Sequence, residues 1–96
     1  MHMINLDRVI ADTQSLIRVD SQNPGIQEAQ CGAWVKDRMK KIGLQPEIIT
    51  VSEGRDNLIF TLPGRKDLPR LVILGHLDTV PIGSGWTLPP LEGVIK

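Results

Sequence analysis

The triplet His76-Leu77-Asp78, preceded by Gly75, joins a nitrogen base and a carboxylate at a spacing of two. In extended backbone, residues two apart project to the same side, so imidazole and carboxylate can act together. One chemistry this permits is metal ligation. The imidazole binds the ion through one nitrogen while the carboxylate holds the other, fixing tautomer and ring orientation and raising basicity. The bland alternative is a turn, with His76 solvated and Asp78 accepting from a loop amide. The triplet alone leaves both open.

Other chemistry-bearing residues have ordinary structural explanations. Cys31 lies on the expected core face of a helix, where a lone cysteine serves as a small apolar residue. A single cysteine forms no internal disulfide, and no CxxC or Cys/His cluster suggests structural zinc, so a reducing compartment is expected. Ser21 and Ser84 have no histidine at a triad-like position, and His2 is terminal and expected to be exposed. Lys36, Arg38, Lys40 and Lys41 form a basic cluster that reads as a solvated helix face. Glu28, Glu47, Glu53 and Glu92 stand alone. Trp34 is expected to pack beside the second helix.

The elements that must position His76 and Asp78 follow from the hydrophobic pattern. Leu6, Val9, Ile10, Thr13, Leu16 and Ile17 recur at helical spacing, with Asn5 placed to cap and Asp7 in the first turn, predicting a helix over 6–19. Asp20 to Gly25 collects turn formers and forms a loop. A second helix is expected over 27–42, with Cys31, Val35, the Arg38 stem, Met39 and Ile42 on one face and Gly43 as its left-handed terminator. Three β-rich runs follow, 47–51, 57–62 and 70–74, with 52–56 as the first connection. The last is apolar without alternation, which suits a central strand covered on both faces. Glu92 to Lys96 looks like the start of another strand. The expected fold class is therefore α/β, with helices packed on a mixed sheet. Nothing after Leu74 supplies a second cover for the central strand, so the 96 residues are expected to be the front part of a larger domain.

Composition narrows the partners. With 41% hydrophobic and 23% charged residues the sequence belongs among globular chains of at most one domain, and a thin core is expected. Eleven Lys and Arg balance 11 Asp and Glu, which removes the bulk attraction for nucleic acid or an anionic membrane. No targeting or spanning segment is visible, so a cytoplasmic location is expected.

The run Leu71-Val72-Ile73-Leu74-Gly75-His76-Leu77-Asp78-Thr79-Val80-Pro81, with Trp86 and then Pro89-Pro90-Leu91, resembles the first signature of the cocatalytic zinc peptidases and deacylases. That family includes acetylornithine deacetylase, succinyl-diaminopimelate desuccinylase, carboxypeptidase G and the aminoacylases. The resemblance extends to the first helix, to Ser21-Gln22-Asn23-Pro24, to Gly43-Leu44 and to Asn57-Leu58-Ile59, covering essentially the whole chain. It implies a dizinc exopeptidase-like catalytic domain in which His76 ligates one of two zinc ions, with cobalt as a substitute, and Asp78 holds its imidazole in a catalytic supporting role. It places Trp86 in an active-site loop. It also implies a bridging aspartate, a Glu-Glu pair supplying the general base, further ligands and a lid and dimerisation domain, none with a matching position here. The implied reaction is metal-dependent hydrolysis of an N-acyl amino acid or short peptide. Any homodimer would form through regions absent from these residues. The competing expectation is a non-catalytic fragment, or a module that folds with a partner and has no turnover. Zinc binding by the isolated chain is expected to be weak.

Overall fold

The computed structural model describes residues 3–25 and 27–96, and His2 lies outside them. Helix α1 spans Leu6–Arg18. Its first turn is closed by the Asn5 side chain, which accepts from the Arg8 amide at 3.0 Å, and Asp7 and Arg18 sit at the ends of the dipole that favour them. Helix α2 spans Glu28–Lys40. It ends as the sequence predicts: Gly43 takes φ 85°, its amide donates to the Lys40 carbonyl and that of Leu44 to the Met39 carbonyl, both at 3.0 Å. This paired termination requires a left-handed residue, for which glycine has no steric penalty.

Strands β1, Glu47–Ser52, and β2, Arg55–Ile59, form an antiparallel hairpin. The expected connection over 52–56 is in fact the two-residue turn Glu53-Gly54, with Gly54 at φ 74°, so β2 begins earlier and ends earlier than expected. A register irregularity at Val51 separates the Thr50–Asp56 pair from the Ser52–Arg55 pair, and the Thr50 hydroxyl donates to Asp56 Oδ1 at 2.7 Å across the ladder. Helix α2 packs on β2.

A small α/β fold is therefore present, but two expected strands are not. Residues 70–74 form no strand, and Leu71, Val72, Ile73 and Leu74 are 81–93% exposed. An all-apolar run gains from strand formation only when both its faces are covered. Here α2 is engaged with β2, and no helix follows Leu74 among the described residues. Residues 92–96 likewise form a turn and irregular chain rather than a strand. Among the described residues the expected mixed sheet is consequently only the hairpin, and the one parallel feature is an isolated bridge between Gln22 and Thr79.

The core is correspondingly small. Cys31 is the buried apolar side chain among the described residues, as its position on α2 predicts, whereas Ile42 at the end of the same face is exposed and α1 buries no residue. Trp34 is half-buried on α2. The accessible surface of 8317 Å² compares with roughly 5,500 Å² for a compact monomer of this mass. The radius of gyration, 15.8 Å, likewise exceeds the roughly 12.5 Å of a compact chain of this length. No helix among the described residues is long and apolar enough to cross a membrane.

Long polar side chains do much of the joining. Arg38 Nε meets both Asp12 oxygens, at 2.9 and 3.1 Å, linking α2 to α1. That hydrogen bond raises the guanidinium above its ordinary range. Arg38 thus leaves the expected solvated cluster, while Lys41 pairs along the helix with Asp37 at 3.2 Å. Glu28, solitary in sequence, pairs with Arg55 at 2.7 Å and ties the start of α2 to β2. The turn over 91–93 lies against α1, where Gln14 Nε2 donates to the Gly93 carbonyl at 2.7 Å and Arg18 Nε to the Glu92 carbonyl at 3.0 Å.

Candidate functional site

His76 and Asp78 flank Leu77, whose side chain is the apolar anchor of the segment. A methyl group built on Gly32 of α2 would lie 3.8 Å from Leu77 Cδ1 and 3.9 Å from Leu58 Cδ1, so Leu77 seats where α2 meets β2. With Leu77 turned inward, its two neighbours are left at the surface: the side chain of His76 is 81% exposed and that of Asp78 42%.

A second anchor comes from the loop after α1. The Thr79 amide donates to the Ser21 carbonyl at 2.9 Å, and the Asn23 amide donates to the Thr79 carbonyl at 2.8 Å, making the parallel bridge. Gln22 Oε1 accepts from the Ile82 amide at 2.9 Å, while its Nε2 donates to Asp20 Oδ1 at 3.0 Å. Asn23 Nδ2 donates to Asp78 Oδ2. Ser21 is only 5% exposed, so this clasp is the better-covered end of the site.

His76 Nδ1 lies 2.7 Å from the Asp78 carbonyl oxygen and 3.2 Å from Asp78 Oδ1. Both oxygens are acceptors, so in the neutral ring Nδ1 carries the proton and donates, leaving the lone pair on Nε2. The sequence suggests the carboxylate as the group facing the imidazole; the structure adds the main-chain carbonyl as the nearer acceptor. Nε2 makes no hydrogen bond among the described residues and faces outward with the exposed ring. The arrangement therefore presents one oriented imidazole lone pair, which can ligate a metal or accept a proton.

Zinc needs more than this. A structural site takes about four protein ligands and a catalytic one three plus water. No group of three or more His, Cys, Asp or Glu that could hold a metal ion exists among the described residues. Their donor set fits one ligand position and its orienting carboxylate, not a closed centre.

The remaining candidates lie elsewhere. Burial pushes the Cys31 thiol above its ordinary range, which disfavours the nucleophilic thiolate. The Trp86 indole N–H donates to the Ile82 carbonyl at 2.7 Å, and its ring lines a groove of about 280 Å³ with Ile17, Leu88, Pro90 and Val94. A smaller cavity of about 90 Å³ between Glu28, Lys36, Asp56 and Leu58 falls well below the size of ordinary ligand pockets. Sequence reasoning missed Asn23 and Gln22 as partners of the His76 segment. The signal was their turn chemistry, but nothing in the sequence says that this loop meets residues 55–60 positions later.

Comparison with known proteins places these observations beside named relatives. No protein-family model matches the chain, and no solved structure matches it. A probable succinyl-diaminopimelate desuccinylase of Staphylococcus aureus strain N315 is 30% identical over 76 residues, covering 77% of this chain and 18% of the relative. A Beta-Ala-Xaa dipeptidase of Lactobacillus delbrueckii subsp. lactis is 32% identical over 96 residues, covering 90% of this chain and 19% of the relative. The chain is thus similar over most of its own length to a desuccinylase and a dipeptidase, and spans about a fifth of the length of each.

Proposed function

We propose that this chain is the front part of the catalytic domain of a hydrolase in the zinc peptidase and deacylase family. In this reading it supplies one metal-ligating imidazole, His76, and the carboxylate that orients it, Asp78. The single observation that carries the reading is the geometry at Nδ1: two Asp78 oxygens hold that nitrogen and leave an oriented Nε2 lone pair at the surface. The names of the two relatives, a desuccinylase and a dipeptidase, support a substrate with an amide bond, such as an N-acyl amino acid or a short peptide. Zinc, when bound, would act as Lewis acid and activate water. The described residues close no metal centre, so no catalytic step is assigned to them, and the 96 residues by themselves are proposed to lack turnover.

The test is a zinc titration of the ¹⁵N-labelled chain carrying His2→Gln, with N-acetyl and N-succinyl amino acids and dipeptides assayed alongside. The expected result is weak binding of about one equivalent that perturbs His76 Nε2 and disappears in His76→Ala, with no hydrolysis. Zinc uptake indifferent to His76→Ala would remove the ligand assignment. A tight two-zinc isotherm, or zinc-dependent hydrolysis, would show that the chain holds a complete centre.

A further inference from the structure

The Asp78 carboxylate that faces His76 is itself partly solvated, and the structure shows what keeps it from turning away. Its Oδ2 accepts from Asn23 Nδ2 while its Oδ1 lies 3.2 Å from His76 Nδ1, so the carboxylate is bridged between an amide and the imidazole. We propose that Asn23 is a positioning residue for His76, acting through Asp78: its side-chain amide fixes the carboxylate in the orientation that holds the imidazole Nδ1–H and points Nε2 outward. The assignment rests on the reading of His76 as a metal ligand, but the positioning itself is a property of the metal-free chain.

Three observations support the role. Asn23 is held by its main chain, through its amide to Thr79 O and through the Thr79 amide to Ser21 O, so its side chain starts from a fixed point rather than from a mobile loop. Those bonds bring the residue beside Asp78 from 55 positions away, and the Asn23–Asp78 contact is partly buried, where a hydrogen bond is weakened less by solvent. The residue type also matters. A carboxylate is an acceptor only and needs a donor. The asparagine amide supplies one without adding positive charge, so Asp78 stays negative toward the imidazole, and that negative charge is what raises the basicity of a ligating ring. Lysine or arginine would cancel the charge, and aspartate would set a second carboxylate against it.

Gln22 provides the control. It belongs to the same loop and clasps Ile82, but makes no hydrogen bond to Asp78. A purely structural role for the loop would make the two residues equivalent, whereas a positioning role singles out Asn23. The readout is the His76 tautomer, taken from the ¹⁵N shifts of Nδ1 and Nε2 in the His2→Gln chain without metal. Measurement at about pH 9 keeps an ordinary imidazole neutral. The unaltered chain is expected to show Nδ1–H as the main form. Asn23→Leu and the isosteric Asn23→Asp should each shift the ratio toward Nε2–H by about fivefold, the factor one ordinary hydrogen bond provides. Gln22→Leu should leave it within about twofold, below the effect of even a weak hydrogen bond. An unchanged ratio in both Asn23 variants, or an equal shift in Gln22→Leu, would overturn the proposal. Either result would leave the zinc titration of His76 to stand or fall separately.

Discussion

Gly32 offers a quantitative test of how the site segment is seated. It lies inside α2, five residues from the start of the helix counting Glu28 as the first, and its backbone is ordinary right-handed helix. Replacing it with alanine should relieve the entropic penalty of a helical glycine, about 1 kcal/mol. The new methyl would stand 3.8 Å from Leu77 Cδ1 and 3.9 Å from Leu58 Cδ1, which is ordinary van der Waals contact and asks neither neighbour to move. Burying that methyl adds at most about 0.8 kcal/mol. The sum is a stabilisation of about 1–2 kcal/mol. For a cooperatively unfolding chain of this size, each kcal/mol corresponds to about 4–8 °C in Tm. Urea unfolding followed by far-UV circular dichroism, with a thermal melt as cross-check, measures it directly. The result should be a higher midpoint at unchanged slope. Gly32→Leu is the counterpart: its longer side chain competes for the space of Leu77, costs about 1–3 kcal/mol, and loosens the segment carrying His76. A lowered midpoint for Gly32→Ala would mean that Leu77 and Leu58 pack closer to α2 than the structure has them, and the account of how the site is anchored would fail.

Gly93→Ala should act in the opposite direction. Gly93 has φ 65°, and an added methyl would fall 3.2 Å from Gln14 Cα and Cβ, so strain and collision together should cost about 1–2 kcal/mol and release the turn from α1, seen as faster amide exchange over 92–94. Cys31→Ala should cost about 1 kcal/mol through lost packing and leave zinc binding unchanged. Because burial raises the Cys31 pKa, the folded state disfavours the thiolate. Its contribution to stability is therefore fully present below the ordinary value of 9.0 and is lost as pH rises through the raised folded value. Urea midpoints across that alkaline range should fall less for Cys31→Ala than for the unaltered chain. In a protein that carries this sequence with a complete metal centre, His76→Ala should remove about one metal equivalent by elemental analysis. Asp78→Asn should keep most of the metal and reduce activity about 10–100-fold; full activity in either variant would end the assignment.

The sequence by itself determined the local structure. The bounds of α1 and α2 fall within two residues of expectation because their signals are near neighbours: Asn5 caps the Arg8 amide three positions away, and Gly43 closes α2 within its own last turn. The core position of Cys31 follows from the same helical spacing. The hairpin was legible as two strands but not in its ends, since the glycine turn at Glu53-Gly54 is tighter than the charged residues around it suggest. The chemical interest of His76 and Asp78 was also visible, because residue type and a spacing of two are sequence properties.

Tertiary structure decided which groups serve them. Asn23 reaches Asp78 across 55 positions and Arg38 reaches Asp12 across 26, and no local propensity encodes either meeting. Residues 70–74 show the same rule from the other side. Their apolar pattern states a preference for burial in a sheet, but pairing and cover are supplied by other parts of a fold, and among the described residues those parts do not reach them, so a strand-forming sequence stays irregular and exposed.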